Sequence, residues 1–217
     1  MTRMDQFGKV WVIDDFLPSE TFTSLANTVL AHDFPWYYAD AINGPDVQDE
    51  QEYLTNFQFV HIIHDDHRFM SHHAHLLEPV FEKLNLLALI RVKFNLNPVW
   101  RENALSGFHK DLGLPALSGI LYLNDSDGLT VFQNGRSVEP KENRFLIFDS
   151  RLMHSASKPQ KCKRRVILNL IWIPRGEISS PTFKPLGLPE LMSTSKLAPT
   201  TTVPYSVSQQ PPDPGFE

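Results

Sequence analysis

Residues 144–173 read RFLIFDSRLMHSASKPQKCKRRVILNLIWI. Two apolar runs, FLIF and VILNLIWI, flank a polar stretch that carries a histidine, a proline and six basic residues. Short apolar runs rich in β-branched and aromatic residues, bounded by turn formers, read as buried strands. Working back from this pair, further strands are predicted over 129–133, 118–124, 107–111 and 89–96. Asn-Asp-Ser-Asp-Gly at 124–128, Asn134-Gly135 and Glu139-Pro140-Lys141 separate the later ones as turn signals. Upstream the pattern changes. A strand is predicted over 10–16, and Leu17-Pro18-Ser19-Glu20 then opens a helix to about residue 32. That helix would place Phe22, Leu25, Ala26, Val29 and Leu30 on one face. A strand over 53–64 and a second amphipathic helix over 72–85 complete the set. Helices first and then a run of short strands predict an α+β protein whose second half is a two-sheet sandwich or barrel. No internal repeat is visible.

The chain has 217 residues, of which 41% are apolar and 21% charged, enough for one sizeable core. The last 44 residues hold nine of the 17 prolines and eleven Ser or Thr. The expected organisation is therefore one domain over 1–174 and a Pro/Ser/Thr-rich tail over 175–217. Proline removes backbone donors, so the tail is expected to be extended or draped on the surface. A sharper reading makes it an arm that docks on a partner or on another copy of the chain. A net charge of −5 argues against nucleic-acid binding, and no apolar run approaches a membrane span. The opening MTRMDQFGKVWVIDD has no signal-peptide pattern, and the single cysteine, Cys162, excludes a disulfide framework. A cytoplasmic location is expected.

His109-Lys110-Asp111 carries the sharpest chemical signal. Residues i and i+2 of a strand face one side, so His109 and Asp111 can hold one ion together. His154, in the loop after RFLIFD, supplies a third ligand. Two His and one carboxylate on one face of a metal leave the opposite positions open, the pattern of non-haem Fe(II) oxygenases. A lone His-x-Asp arises often by chance, and Arg165 adds weight to it. An arginine opening a buried strand is costly unless an anion meets it. Parity places Arg165, Ile167, Asn169 and Ile171 on one face and Arg164 on the other. A β-bulge would exchange the two arginines. Both could instead belong to the basic surface cluster KCKRR.

The succession HKD, SGILYLN, DGLTVF, ENRFLIFD, HSAS and KRRVILNLIW resembles the prolyl 4-hydroxylase-like branch of the Fe(II)/2-oxoglutarate dioxygenases, in particular its small phage- and bacterium-type members. The similarity extends over about residues 10–173, because VWVIDDFLPSETF also looks like that group's opening strand and helix. It implies a double-stranded β-helix, a jelly roll of two packed sheets with flanking N-terminal helices. It further implies His109, Asp111 and His154 as iron ligands and Arg165 as the 2-oxoglutarate anchor, with Tyr122 and Asn169 as further cosubstrate contacts. The reaction implied takes Fe(II), 2-oxoglutarate and O2, releases succinate and CO2, and hydroxylates an unactivated C–H. No stretch matches a peptide-binding loop, so the substrate is left open between a peptidyl group and a small molecule.

Other features have plainer readings. His61, His64, His67, His72, His73 and His75 share no fixed spacing and read as solvated histidines. Phe34-Pro35-Trp36-Tyr37-Tyr38 reads as core or lid packing, and the acidic stretch over 39–52 suits a lid. Arg91, Lys93 and Asn95 alternate along LIRVKFNLN and would line either the barrel mouth or the solvent side of an edge strand. Two rival functions stand beside the dioxygenase. One is a catalytically idle jelly roll serving binding or structure. The other is a cupin-type metalloprotein, which usually recruits three or four His and has no need of Arg165.

Overall fold

The computed structural model of the chain describes residues 4–7, 9–42, 56–100 and 105–176. Most of the stretch read as a lid and nearly all of the tail lie outside the described residues. The chain opens with antiparallel β1 (Met4–Phe7) and β2 (Val10–Ile13), then helix α1 (Ser19–Leu30). Next come β3 (Tyr37–Ala39), β4 (Gln58–Asp65), β5 (Arg68–Phe69), a 3₁₀ helix at His72–Leu77 and α2 (Glu78–Lys83). The rest is strands: β6 (Leu86–Pro98), β7 (Leu117–Tyr122), β8 (Thr130–Phe132), β9 (Ser137–Val138), β10 (Phe145–Asp149), β11 (His154–Ala156) and β12 (Arg164–Pro174).

Two antiparallel sheets result. The large one runs β1-β2-β10-β7-β12-β6-β4-β3, with β5 paired to β4; the small one runs β11-β8-β9. Bridges Leu105↔Ser157 and His109↔His154 lay the segment 105–109 beside β11 and give the small sheet a fourth member. From β6 onward the chain passes back and forth. It goes from β6 to that segment, to β7, to the β8–β9 hairpin, to β10, to β11 and to β12. This alternation is the winding of a jelly roll, the class expected from the sequence.

The large sheet is covered on both faces, which is why its central strands are apolar throughout rather than alternating. All six residues of β7 and all five of β10 are buried. Leu121, Ile147, Leu168 and Trp172 face one way and pack with Phe22, Leu25 and Val29 of α1 and Val80 of α2. Ile120, Leu146, Phe148 and Ile167 face the other way and pack with Phe132 and Val138 of the small sheet. Helices, large sheet and small sheet thus form three layers. Asn143, at φ 58°, ties the first layer to the second. Its side chain accepts from Leu17 N at 2.9 Å and donates to Leu17 O at 2.8 Å.

Three local expectations change. The second helix splits, because Pro79 has no N–H to give His75 and its ring clashes with that carbonyl; a 3₁₀ turn precedes it and α2 starts around it. The segment 107–111 forms only the His109 bridge instead of a full strand, and His154 opens β11 instead of sitting in a loop. His61 and His64 are buried at 4% and 6% exposure, against the solvated reading. His61 stacks on Phe34 and holds Pro35 O and Ser71 Oγ, each at 2.7 Å. A register shift between Ile62 and His64 turns both Ile63 and His64 inward.

Candidate metal centre and anion-binding cavity

Between the two sheets lies a cavity of about 350 Å³. His109, Asp111 and His154 meet at its wall with one ligand atom of each within 4.8 Å of the others. The convergence is built by the backbone. His109 N donates to His154 O at 2.9 Å and His154 N donates to His109 O at 3.0 Å, which lays the two imidazoles side by side. Asp111 N donates to Ser150 O at 3.1 Å, so the carboxylate is tied to the turn after β10.

Both imidazoles are oriented in one way. His109 Nδ1 donates to Gly107 O at 3.2 Å and His154 Nδ1 donates to Leu152 O at 3.1 Å. A proton held on Nδ1 by a carbonyl leaves the Nε2 lone pair for a metal. Burial, reinforced by the neighbouring His154, lowers the His109 pKa and keeps that ring neutral. His154 packs against Phe148 at 4.6 Å between centroids. Asp111 Oδ2 is buried without a hydrogen-bond partner, 3.7 Å from His154 Nε2, while Oδ1 meets Arg91 Nη2 at 3.3 Å. Two imidazole nitrogens and an orphaned carboxylate oxygen suit a first-row ion such as Fe(II), and three ligands leave coordination positions open. The donor set fits.

Arg165 enters the same cavity from β12. Its register partner on β6 is Asn97, and it is 1% exposed. Nη2 donates to Thr130 Oγ1 at 2.8 Å, Nη1 reaches Asn97 Oδ1 at 3.5 Å, and Nε has no partner. No carboxylate among the described residues pairs with it. Tyr122, fully buried, lies under the guanidinium at 5.5 Å and bonds Thr130 Oγ1 at 2.8 Å. Burial pushes the Tyr122 pKa up, so the phenol stays protonated. Arg164 points the other way and donates to Leu30 O at 2.9 Å, at the end of α1. Asn169 lines the cavity with its Oδ1 unpartnered.

Sequence reasoning left the alternating polar face of β6 undecided, and it lines the cavity: Arg91, Lys93, Asn95 and Asn97 all project there. Thr130, which links Tyr122 to Arg165, drew no attention in the sequence. A buried threonine offers no signal until its neighbours in space are known.

No known protein family and no curated relative matches the chain. Solved structures do. An oxidoreductase of the 2OG-Fe(II) oxygenase family from Burkholderia pseudomallei is similar with a TM-score of 0.53 at 11% identity, over 77% of this chain and 89% of that one. HygX from Streptomyces hygroscopicus, solved with nickel, 2-oxoglutarate and hygromycin B bound, gives 0.51 at 13% identity, over 77% and 83%. A prolyl-4-hydroxylase from Pseudomonas putida matches at 0.48 and 19% identity, over 78% and 94%. The fold is the jelly roll of the 2-oxoglutarate/Fe(II) oxygenases.

Proposed function

We propose that the protein is an Fe(II)- and 2-oxoglutarate-dependent dioxygenase that hydroxylates an unactivated C–H of its substrate. The observation that carries this reading is Arg165, a buried, permanent cation without an anionic partner among the described residues, in the same cavity as the His-Asp-His cluster. Burying such a charge costs several kcal/mol unless an anion joins it, and the distal carboxylate of a dicarboxylate meets that need in bidentate fashion.

His109 Nε2, Asp111 and His154 Nε2 would hold the ferrous ion. Bound there, iron supplies the redox chemistry of the balanced reaction R–H + 2-oxoglutarate + O2 → R–OH + succinate + CO2. The chain does the positioning. Arg165 orients the cosubstrate from its far end, with Thr130 and Tyr122 holding the guanidinium in place. Asn169, on the same face of β12, adds an amide contact along the cavity wall. Ile120 and Ile167 give the cavity an apolar inner wall that excludes water. Arg91 screens the Asp111 carboxylate before metal arrives. A cytoplasmic location belongs to the same proposal, because a reducing compartment keeps iron ferrous.

Anaerobic titration of the iron-loaded protein with 2-oxoglutarate tests it. A weak visible charge-transfer band at roughly 500 nm, as expected for a chelate on an open Fe(II) site, should appear and be lost in His154→Ala. Bound iron without a band would turn the reading to a cupin-type metalloprotein. No bound iron would turn it to an idle binding or structural jelly roll.

A further inference from the structure

The cavity is too cationic for one dicarboxylate. Arg91, Lys93, Lys110 and Arg165 line it against a single carboxylate, Asp111, and the proposed ferrous ion adds two further positive charges. Three of these cations fall into two groups along the β6–β12 pair. Arg165 stands opposite Asn97, whereas Lys93 stands opposite Asn169 and Arg91 opposite Ile171. Four residues of strand, about 13 Å of backbone, separate the Asn97 row from the Lys93 row.

Around Lys93 the cavity is polar and unsatisfied. No described acceptor lies within hydrogen-bond distance of its ammonium. Arg91 Nε and Asn95 Oδ1 are buried and have no partner either. Burial, and next the charge of Arg91, push the Lys93 pKa down to about 8, so a nearby anion would be a strong gain. Unmade hydrogen bonds at buried donors and acceptors are costly and uncommon. Two cationic donors beside an amide acceptor describe a recess for a carboxylate that carries a neighbouring hydroxyl or amino group.

We propose that Arg91, Lys93 and Asn95 bind the carboxylate end of the substrate, and that the substrate is a small hydroxy or amino acid. This rests on the dioxygenase reading, which assigns Arg165 to the cosubstrate. An α-carboxylate occurs in a peptide only at its terminus, and an Asp or Glu side chain carries no hydroxyl or amino group beside its carboxylate, so the amide acceptor Asn95 Oδ1 next to the two cations favours a small hydroxy or amino acid.

The test uses the full chain loaded with Zn(II), which is redox-inert, and saturated with 2-oxoglutarate. Thermal unfolding is followed with a panel of small hydroxy and amino acids, each paired with its carboxamide. At least one acid should raise the midpoint by several degrees while its amide does not. In Lys93→Met that acid should bind about tenfold or more weaker, with 2-oxoglutarate affinity within about twofold of the parent, and Lys93→Arg should restore it. The same acid should stimulate succinate release from the iron enzyme. A panel in which no acid binds, or in which amides bind as well as acids, overturns the proposal. So does a Lys93→Met variant that loses 2-oxoglutarate instead. If 2-oxoglutarate fails to stabilise the Zn(II)-loaded parent, the dioxygenase reading fails. The comparison of acids with amides, repeated without 2-oxoglutarate, then judges the recess by itself.

Discussion

His109 and His154 exchange both of their backbone hydrogen bonds, at 2.9 and 3.0 Å, although 45 residues separate them. Such a closely paired bridge places two side chains on one face of a sheet, and the ring centroids stand 4.4 Å apart. The geometry of the metal cluster is thus set by strand pairing. Asp111 joins it through the same extended segment, two residues on.

Because backbone bonds hold the ligands together, single ligand substitutions should remove metal without unfolding the chain. His109→Ala, Asp111→Ala and His154→Ala should each weaken Zn(II) or Fe(II) binding by more than about 100-fold, beyond the loss typical of an outer-shell partner. Metal content after gel filtration and calorimetric titration measure this. The metal-free unfolding midpoint should stay near that of the parent in Asp111→Asn, which keeps the shape of the side chain that faces Arg91.

The two adjacent arginines should separate cleanly. Arg165→Met removes a buried cation with no counter-charge among the described residues, so the free protein should be as stable as the parent or more so. Its affinity for 2-oxoglutarate should fall by about 100-fold, roughly the ~3 kcal/mol of a charge-assisted, bidentate contact. Arg164→Ala should do the reverse. It loses the bond to Leu30 O, costing about 1 kcal/mol of stability, and leaves cosubstrate affinity unchanged. The reverse outcome, with cosubstrate lost in Arg164→Ala, would move the anchor.

That contrast also marks what the sequence made legible. Period-two alternation in β12 was enough to turn Arg165 inward and Arg164 outward, because the strand pairs with β6 without a register break beside them. A run of strands after the helices gave a sandwich or barrel, and the resemblance to the dioxygenases narrowed it to a jelly roll. Where a bulge or a contact distant in sequence intervenes, local pattern is silent. The register shift between Ile62 and His64 buries a histidine that looked solvated, and Pro79 breaks a helix whose apolar spacing is intact. The inward face of Arg91 and Lys93 became clear only once β4 and β12 flanked β6 on both edges.

Lys93 predicts a pH dependence of stability. In the fold it loses its proton near pH 8, against an ordinary value of 10.5 in the unfolded chain. Between those values the unfolded state binds the proton that the fold does not, so stability should rise with pH over that window. Below pH 8 both states are protonated and the full cost of the buried charge, on the order of 3 kcal/mol, is present. Lys158, held over the Phe57 ring at 3.8 Å, is lowered to about 8 in the same way by burial. The measurement is therefore the difference between the parent and Lys93→Met in urea unfolding across pH 7 to 11. Lys93→Met should be the more stable below pH 8, and its advantage should vanish by about pH 10.5. An advantage constant across the range would assign the effect to packing.

Two glycines on opposite sides of the large sheet separate strain on the helix side from strain at the Arg165 anchor. A Cβ at Gly119 would lie 2.7 Å from Phe145 Cζ and 2.9 Å from Trp172 Cζ3, among the rings that face the helices. Gly119→Ala should cost about 1–3 kcal/mol by overpacking and leave cosubstrate affinity alone. A Cβ at Gly128 would lie 2.7 Å from Ser157 O and 3.0 Å from both Arg165 Cδ and Pro159 N. The tightest approach is to backbone, so the 157–159 chain must shift at some cost to the fold, and the stem of Arg165 must move with it. Thr130 Oγ1 accepts one guanidinium bond at 2.8 Å, and a shift of a few tenths of an ångström there turns the fork away from the cavity. Gly128→Ala should therefore weaken 2-oxoglutarate by about tenfold with metal affinity unchanged, because the His-Asp-His cluster is held by its own backbone bonds. Equal losses of metal and cosubstrate would show that the two ends of the cavity are coupled through the 157–159 backbone, and that the anchor and the metal centre do not act as separate units.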